Sequence, residues 1–208
     1  MESFEEFVSK HKRSAAYHEA GHITAAIVQA MPINPRGMFV DLRGHGVANY
    51  FCREPGDLAT APLDSKERKL TIIALFAGHV AQRRYLPGVD ETGWRDDRIR
   101  IEKLLAEMNL SEQGLAELRQ DLWGRATKLA DKFWPNIEET AEALLIQPCI
   151  EMPAEEQKAG WGTGQVRNLT GEQVSQIFGK HEIPVNLIKG NIRDYDSTKD
   201  VMYYDSLA

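Results

Sequence analysis

Apolar side chains recur every three or four residues through most of the chain, which is typical of amphipathic helices. Ser14, Ser65 and Ser111 each precede such a segment and are the predicted N-caps. Pro135 is expected to start or kink the fifth helical segment. The pattern predicts helices over residues 15–31, 66–86, 92–108, 112–133, 135–146 and 169–178.

Strand-like segments are few and short. Residues 37–42 and 47–51 flank a glycine-rich Arg-Gly-His-Gly turn and predict one β-hairpin. Segments 54–64 and 148–168 are predicted to be loops, and the tail shows one strand-like run at 183–188. We therefore expect a mainly helical α+β fold, with a first helix and a small hairpin sheet followed by a helical bundle. We expect one domain over residues 1–178 and a C-terminal tail over 179–208.

Composition narrows the class of protein. The 208 residues are 42% hydrophobic and 27% charged, which is typical of a globular chain. A net charge of −6 argues against a broad surface for nucleic acid or anionic lipid. The most apolar stretch, 70–81, is too short to cross a bilayer, and no secretory signal begins the sequence. We expect a cytoplasmic protein that binds no nucleic acid and has no membrane span.

The sequence also lacks some common functional signatures. No phosphate-binding loop and no dinucleotide fingerprint is present, which argues against an ATPase or a dinucleotide enzyme. No Cys-x-x-Cys pair exists, which excludes a cysteine-rich zinc module. Cys52 and Cys149 are expected to be buried, small apolar side chains.

Residues 18–22 spell His-Glu-Ala-Gly-His, an HExxH motif on the first predicted helix. Helical residues four apart differ by about 40° around the axis, so His18 and His22 point the same way and can share one zinc ion. Glu19 lies beside them as the base that takes a proton from zinc-bound water. Gly21 disfavours the helix by about 1 kcal/mol, which indicates either close packing there or a ligand near the backbone.

A catalytic zinc site needs a third protein ligand and an open position. The metzincin extension of the motif is absent, because positions 25 and 28 are Ala and Val. The later acids that could serve are Asp41, Glu54, Asp57, Asp90, Glu91, Asp96 and Asp97. On the 92–108 helix, Asp97 shares the apolar face with Ile101, whereas Asp96 shares the solvent face with Arg100. Asp97 is therefore the predicted ligand, the alternative being a helix-dipole role near the N-terminus.

The residues AAYHEAGH (15–22) and TGWRDD (92–97) resemble the peptidase domain of FtsH-type zinc metallopeptidases. In that family the ligand aspartate aligned on Thr92-Gly93 falls on Asp97. Weaker resemblances are PINPRGMFV (32–40), FAGHVAQ (76–82) and LTGEQV (169–174). The resemblance spans roughly residues 12–178 and implies a peptidase that forms rings in its relatives, which leaves homo-oligomerisation open here.

The chain also departs from the family pattern. His79 and Gln82 stand where the family has Arg and Glu, and Trp94 is bulky where a small residue is usual. His79 is expected to donate a hydrogen bond to a metal ligand, to stabilise an oxyanion, or to be a satisfied core or interface side chain. No ATPase module accompanies the peptidase-like segment, so we expect action on short or unfolded polypeptides, or a separate ATPase (unfoldase) partner.

The sequence therefore predicts an ATP-independent zinc metalloendopeptidase with Zn²⁺ on His18, His22 and Asp97. One rival is a repressor-cleaving regulatory protease of the ImmA type, which the Thr-Gly-x-x-x-Asp pattern disfavours. The other is a non-catalytic zinc-binding interaction protein, which the retained Glu19 disfavours. The hairpin 37–51 is expected to be either an edge that pairs with extended substrate or a structural flap, with His45 solvated in its turn.

Overall fold

The computed structural model describes residues 4–50, 64–88, 94–152 and 164–187. In these ranges, mainly helical segments surround one small antiparallel sheet, so the predicted α+β class is confirmed. The elements in chain order are α1 Phe4–Val28, β1 Ile33–Asp41, β2 Gly46–Tyr50, α2 Ser65–Tyr85, α3 Arg95–Ala106, α4 Glu112–Lys132, α5 Trp134–Leu145, β3 Cys149–Glu151, β4 Gln165–Leu169 and α6 Gly171–Gly179.

Helix α1 lies at the centre of the fold. Every residue from 14 to 28 is buried, and the helix packs against α2, α5, β1 and β2. Gly21 allows the closest approach, because a Cβ there would lie 2.5 Å from the carbonyl oxygen of Ala77 on α2. The prediction that Gly21 marks close packing is confirmed. The two helices can therefore present their facing side chains to one shared site.

The sheet has the strand order β2-β1-β4-β3, and each neighbouring pair is antiparallel. The predicted hairpin is confirmed in β1 and β2, with Phe39 opposite Val47, while position 51 lies outside the described residues. In the turn, the His45 side chain is 78% exposed, as predicted. Strand β2 forms one edge of the described sheet and runs across the polar face of α1.

The prediction of a loop over 148–168 is wrong at both ends, where β3 and β4 form. Strand β4 lies between β1 and β3, with Leu169 opposite Met38. It was missed because alternation is weak in a five-residue strand that buries only Val166 and Leu169. Cys149 is exposed rather than buried, since the whole of edge strand β3 faces solvent. Cys52 lies outside the described residues.

Two predicted N-caps are also wrong. The first helix begins at Phe4, so Ser14 is an interior helical residue; no glycine or proline interrupts the preceding segment. The cap of α2 is Asp64, whose carboxylate accepts the backbone N–H groups of Lys66 and Glu67 at 2.7 and 2.8 Å. A negatively charged carboxylate at a helix N-terminus also interacts favourably with the helix dipole. Asp64 is therefore the N-cap, and the adjacent Ser65 is the first residue of the helix.

The starts of α4 and α5 agree with the pattern, whereas Leu169, predicted to be helical, ends strand β4 and α6 begins at Gly171. Ser111 caps α4 through the N–H of Gly114, and Pro135 lies in the first turn of α5. The predicted start of α3 at Thr92 lies outside the described residues, and the helix is described from Arg95. In the tail, Ile183, Val185 and Leu187 pack on the core, and the predicted strand is reduced to one bridge between Leu187 and Ile33. None of the helices in the described ranges is both long and apolar enough to cross a membrane.

Candidate metal centre

The structure brings three polar side chains from two helices to one point. His18 and His22 extend from the same face of α1, and Asp97 extends from the first turn of α3. The Nε2 atoms of the two imidazoles are 2.9 Å apart. The Oδ2 atom of Asp97 lies 2.9 Å from Nε2 of His18 and 3.1 Å from Nε2 of His22. This group could hold a metal ion.

The other ring nitrogens show which atoms carry protons. Nδ1 of His22 donates to the carbonyl oxygen of Ala74 at 2.8 Å, and Nδ1 of His18 donates to Oε1 of Gln82 at 3.2 Å. A neutral imidazole that donates from Nδ1 holds a lone pair on Nε2. Two lone pairs and a carboxylate oxygen therefore converge, and a cation is the group that satisfies three such acceptors.

The charge state of Asp97 agrees with a cation site. Burial alone would raise the pKa of Asp97, whose side chain is 15% exposed. The neighbouring imidazoles, His22 foremost, outweigh burial and hold the pKa of Asp97 far below its ordinary value. The carboxylate is therefore negative at neutral pH, which is the form that binds a cation.

Glu19 lies beside this group under strand β2. Its side chain is buried, and its carboxylate accepts a hydrogen bond from the backbone N–H of Ala48. Burial raises the pKa of Glu19 to about 8; the charge of His18 opposes the rise and that of Asp97 adds to it. A Cβ at Gly46 would lie 2.5 Å from Cγ of Glu19, so only glycine at position 46 lets the strand pass over the carboxylate.

A second glycine supports the ring of His22. A Cβ at Gly78 on α2 would lie 2.3 Å from Cε1 of His22 and 2.5 Å from its Nε2. The imidazole therefore occupies the space that any larger residue at position 78 would need. Together with the hydrogen bond to Ala74, this contact fixes the plane of the His22 ring.

His79 lies next to the centre but outside the converging group. Its ring stacks on the indole of Trp94, with centroids 4.1 Å apart and planes inclined by 13°. Burial, followed by the charge of His18, lowers the pKa of His79 to about 4, so the ring is neutral at pH 7. Its Nδ1 is buried without a hydrogen-bond partner. Because Trp94 precedes Asp97 by one helical turn, the stack lies beside the segment that carries Asp97.

The other predicted ligands fall elsewhere. The carboxylate of Asp41 lies in the hairpin turn, where it accepts hydrogen bonds from the backbone N–H groups of Arg43 and His45. Asp96 is exposed, whereas Asp97 next to it is partly buried. The remaining candidates lie outside the described residues: Glu54, Asp57, Asp90 and Glu91.

Sequence reasoning missed the residues that surround the ligands. Gln82 contacts His18 and in turn bonds to Ser14, and both side chains are buried. Gly46 leaves room for Glu19, and Gly78 leaves room for His22. A signal was present for α2, because its small residues recur at positions 74, 77, 78 and 81. Such spacing marks a face that packs closely against another helix, and Gln82 follows on that face.

No protein-family model matches this sequence, and a search of curated proteins gives no match. We therefore infer a function from the arrangement of the residues alone.

Proposed function

We propose that this chain is a zinc-dependent metallopeptidase that hydrolyses peptide bonds in short or unfolded polypeptides without ATP. The observation that carries the proposal is the convergence of His18, His22 and Asp97 with Glu19 beside them. A site that only stabilised the fold would have no use for the buried carboxylate of Glu19.

The donor set suits zinc. Two imidazole nitrogens and one carboxylate oxygen are typical of catalytic zinc sites, which keep a fourth position open. A tetrahedral zinc places its ligand atoms about 3.3 Å apart. The three atoms lie 2.9 to 3.1 Å apart, so they need to separate by only a few tenths of an ångström. When bound, zinc would supply Lewis acidity, which polarises a carbonyl group and lowers the pKa of water.

Glu19 is the residue that moves the proton. A general base works best when its pKa lies near the working pH, and burial brings the pKa of Glu19 to about 8. A nearby cation lowers the pKa of a carboxyl group and so favours the ionised form that accepts a proton. In our proposal the Glu19 carboxylate takes a proton from the attacking water and passes it to the leaving amine, while the Ala48 N–H orients it.

The resemblance to FtsH-type peptidases is part of this proposal. It is supported by the position of Asp97, which motif alignment and helical register both placed as the third ligand and which lies against both histidines. Strand β2 is an edge of the described sheet and lies beside Glu19, so an extended substrate can add to it by backbone pairing. No phosphate-binding loop occurs in the sequence, so unfolding of a folded substrate would fall to a separate ATPase.

The test is hydrolysis of one fluorogenic unfolded substrate by wild type and by Glu19→Gln, with bound zinc measured in both. Glu19→Gln retains the shape and the three ligands, so zinc should remain while turnover falls by about 10²- to 10⁴-fold. Glu138→Gln, an exposed change on α5, is the matched control and should behave as wild type.

Equal turnover by wild type and Glu19→Gln would contradict the assignment of Glu19. If the wild type binds zinc but cleaves neither short nor unfolded peptides, the peptidase proposal fails and a non-catalytic binding protein is favoured.

A further inference from the structure

Within the described residues, the side-chain hydrogen-bond partner of Nδ1 of His18 is the amide of Gln82. It lies on α2, is buried, and places Oε1 3.2 Å from that nitrogen. Its Nε2 atom donates to Oγ of Ser14 at 3.0 Å. Ser14 is 1% exposed and precedes His18 by one turn of α1, so Gln82 connects Ser14 to His18 behind the metal centre.

We propose that Gln82, held by Ser14, is a positioning residue that keeps His18 in the tautomer able to bind a metal ion. The inference rests on the metal site of the proposed function and extends it to residues behind the ligands. Gln82 does not touch the metal position itself, so its effect passes through the imidazole of His18.

The two orientations of the Gln82 amide have opposite consequences. With Oε1 toward His18, Nδ1 carries the proton and Nε2 presents a lone pair to the metal position. With the amide turned over, its NH₂ group would face Nδ1 and the ring proton would move to Nε2. That proton would point at Oδ2 of Asp97, 2.9 Å away, and block the same lone pair. The orientation of one amide therefore separates a metal-ready site from a blocked one.

The two histidines differ in how their tautomers are fixed. Nδ1 of His22 donates to the backbone carbonyl of Ala74, which belongs to α2 and cannot turn over. His18 depends on a side-chain amide, which can rotate and which Ser14 contacts at its other end. The tautomer of His18 is consequently the one that a substitution of the amide at position 82 can change.

The choice of an amide also limits the buried charge. Asp97 and Glu19 already bring two carboxyl groups to this region. A neutral acceptor at position 82 orients the ring without adding a third, whose desolvation would be costly. Gln82→Glu is therefore the conservative variant that retains the acceptor and tests charge separately from orientation.

The direct test is the tautomer of His18 in metal-free wild type, measured by nitrogen-15 NMR of the imidazole. We expect the proton on Nδ1. A proton on Nε2 would overturn the inference, and this measurement requires no variant to fold.

The second test is zinc affinity, measured by competition with a chromogenic chelator. Gln82→Leu should weaken zinc binding by about 10- to 100-fold, and Gln82→Glu should recover most of that loss because a carboxylate oxygen accepts the same proton. Ser14→Ala should weaken binding less, since it frees the amide without removing it. The matched control is Gln29→Leu, another buried glutamine, whose Nε2 donates to the backbone carbonyl oxygens of Ala25 and Leu70. It should leave zinc affinity unchanged.

The outcomes separate this inference from the peptidase proposal. A wild type that binds zinc, shows the Gln82 effect and cleaves no peptide would refute the peptidase but support the role of Gln82. An active peptidase whose Gln82→Leu variant folds and retains wild-type zinc affinity would overturn this inference alone.

Discussion

Gly78 lies directly against the ring of His22, and Gly78→Ala tests whether that ring must stay where the structure places it. The added Cβ would lie 2.3 Å from Cε1 and 2.5 Å from Nε2 of the imidazole. To regain an ordinary contact of 3.4 Å, the ring would have to retreat by about 1.1 Å. A metal–ligand distance tolerates a change of only about 0.2 Å, so the displaced nitrogen could no longer bind.

Two opposing effects act on stability. Alanine favours a helix over glycine by about 1 kcal/mol, whereas overpacking a close-packed interior costs about 1–3 kcal/mol. The displaced ring also strains or breaks its 2.8 Å hydrogen bond to Ala74. The net loss of stability in the metal-free protein is therefore modest, about 0–2 kcal/mol. The affinity for zinc is the more sensitive measurement. We expect it to fall by more than about tenfold, at least as much as when the hydrogen-bond partner of a metal-binding histidine is removed.

The assay combines chelator competition for zinc with urea unfolding of the metal-free protein. Gly124→Ala is the matched control, because Gly124 also lies inside a helix but a Cβ there would meet nothing within 4 Å. The control should gain up to about 1 kcal/mol and bind zinc as the wild type does. Wild-type zinc affinity in Gly78→Ala would refute the reasoning, since it would mean that the His22 ring has room to move.

Two further predictions concern the third ligand and the sheet. In a metal analysis, Asp97→Ala should abolish stoichiometric zinc binding. Asp96→Ala should change zinc binding little because that side chain is exposed. The reverse result would mean that the register of α3 is wrong by one residue. Gly37→Ala should lower the free energy of unfolding, measured in urea, by more than about 2 kcal/mol. Gly37 has φ +66°, and a Cβ there would lie 2.0 Å from the carbonyl oxygen of Leu169. An unchanged urea midpoint would contradict the pairing of β1 with β4.

The three residues of the candidate metal centre could be predicted because helical spacing acts over short distances. His18 and His22 share a face at any i, i+4 spacing, and Asp97 is the acid on the apolar face of α3. These arguments need only the register of one helix at a time. The helix boundaries at Ser111 and Pro135 were predictable for the same reason, since caps and prolines act within a single turn.

The surroundings of the ligands could not be predicted, because they depend on how separate elements pack. Ser14 shows this well: its hydroxyl group suggests a cap, but α1 runs through it and turns it toward Gln82, 68 residues away. Gly46 and Gly78 carry no signal of their contacts, since glycine is also common in turns. Strand β4 was missed because its pairing with β1 joins residues far apart in sequence, and the strand itself is short.

The most direct test of the central claim is anomalous scattering from crystals grown with equimolar zinc, recorded above and below the zinc absorption edge. We predict one anomalous peak per chain, about 2.0–2.2 Å from Nε2 of His18, Nε2 of His22 and a carboxylate oxygen of Asp97. A site with no peak, or a peak that lies on other residues, would contradict the account.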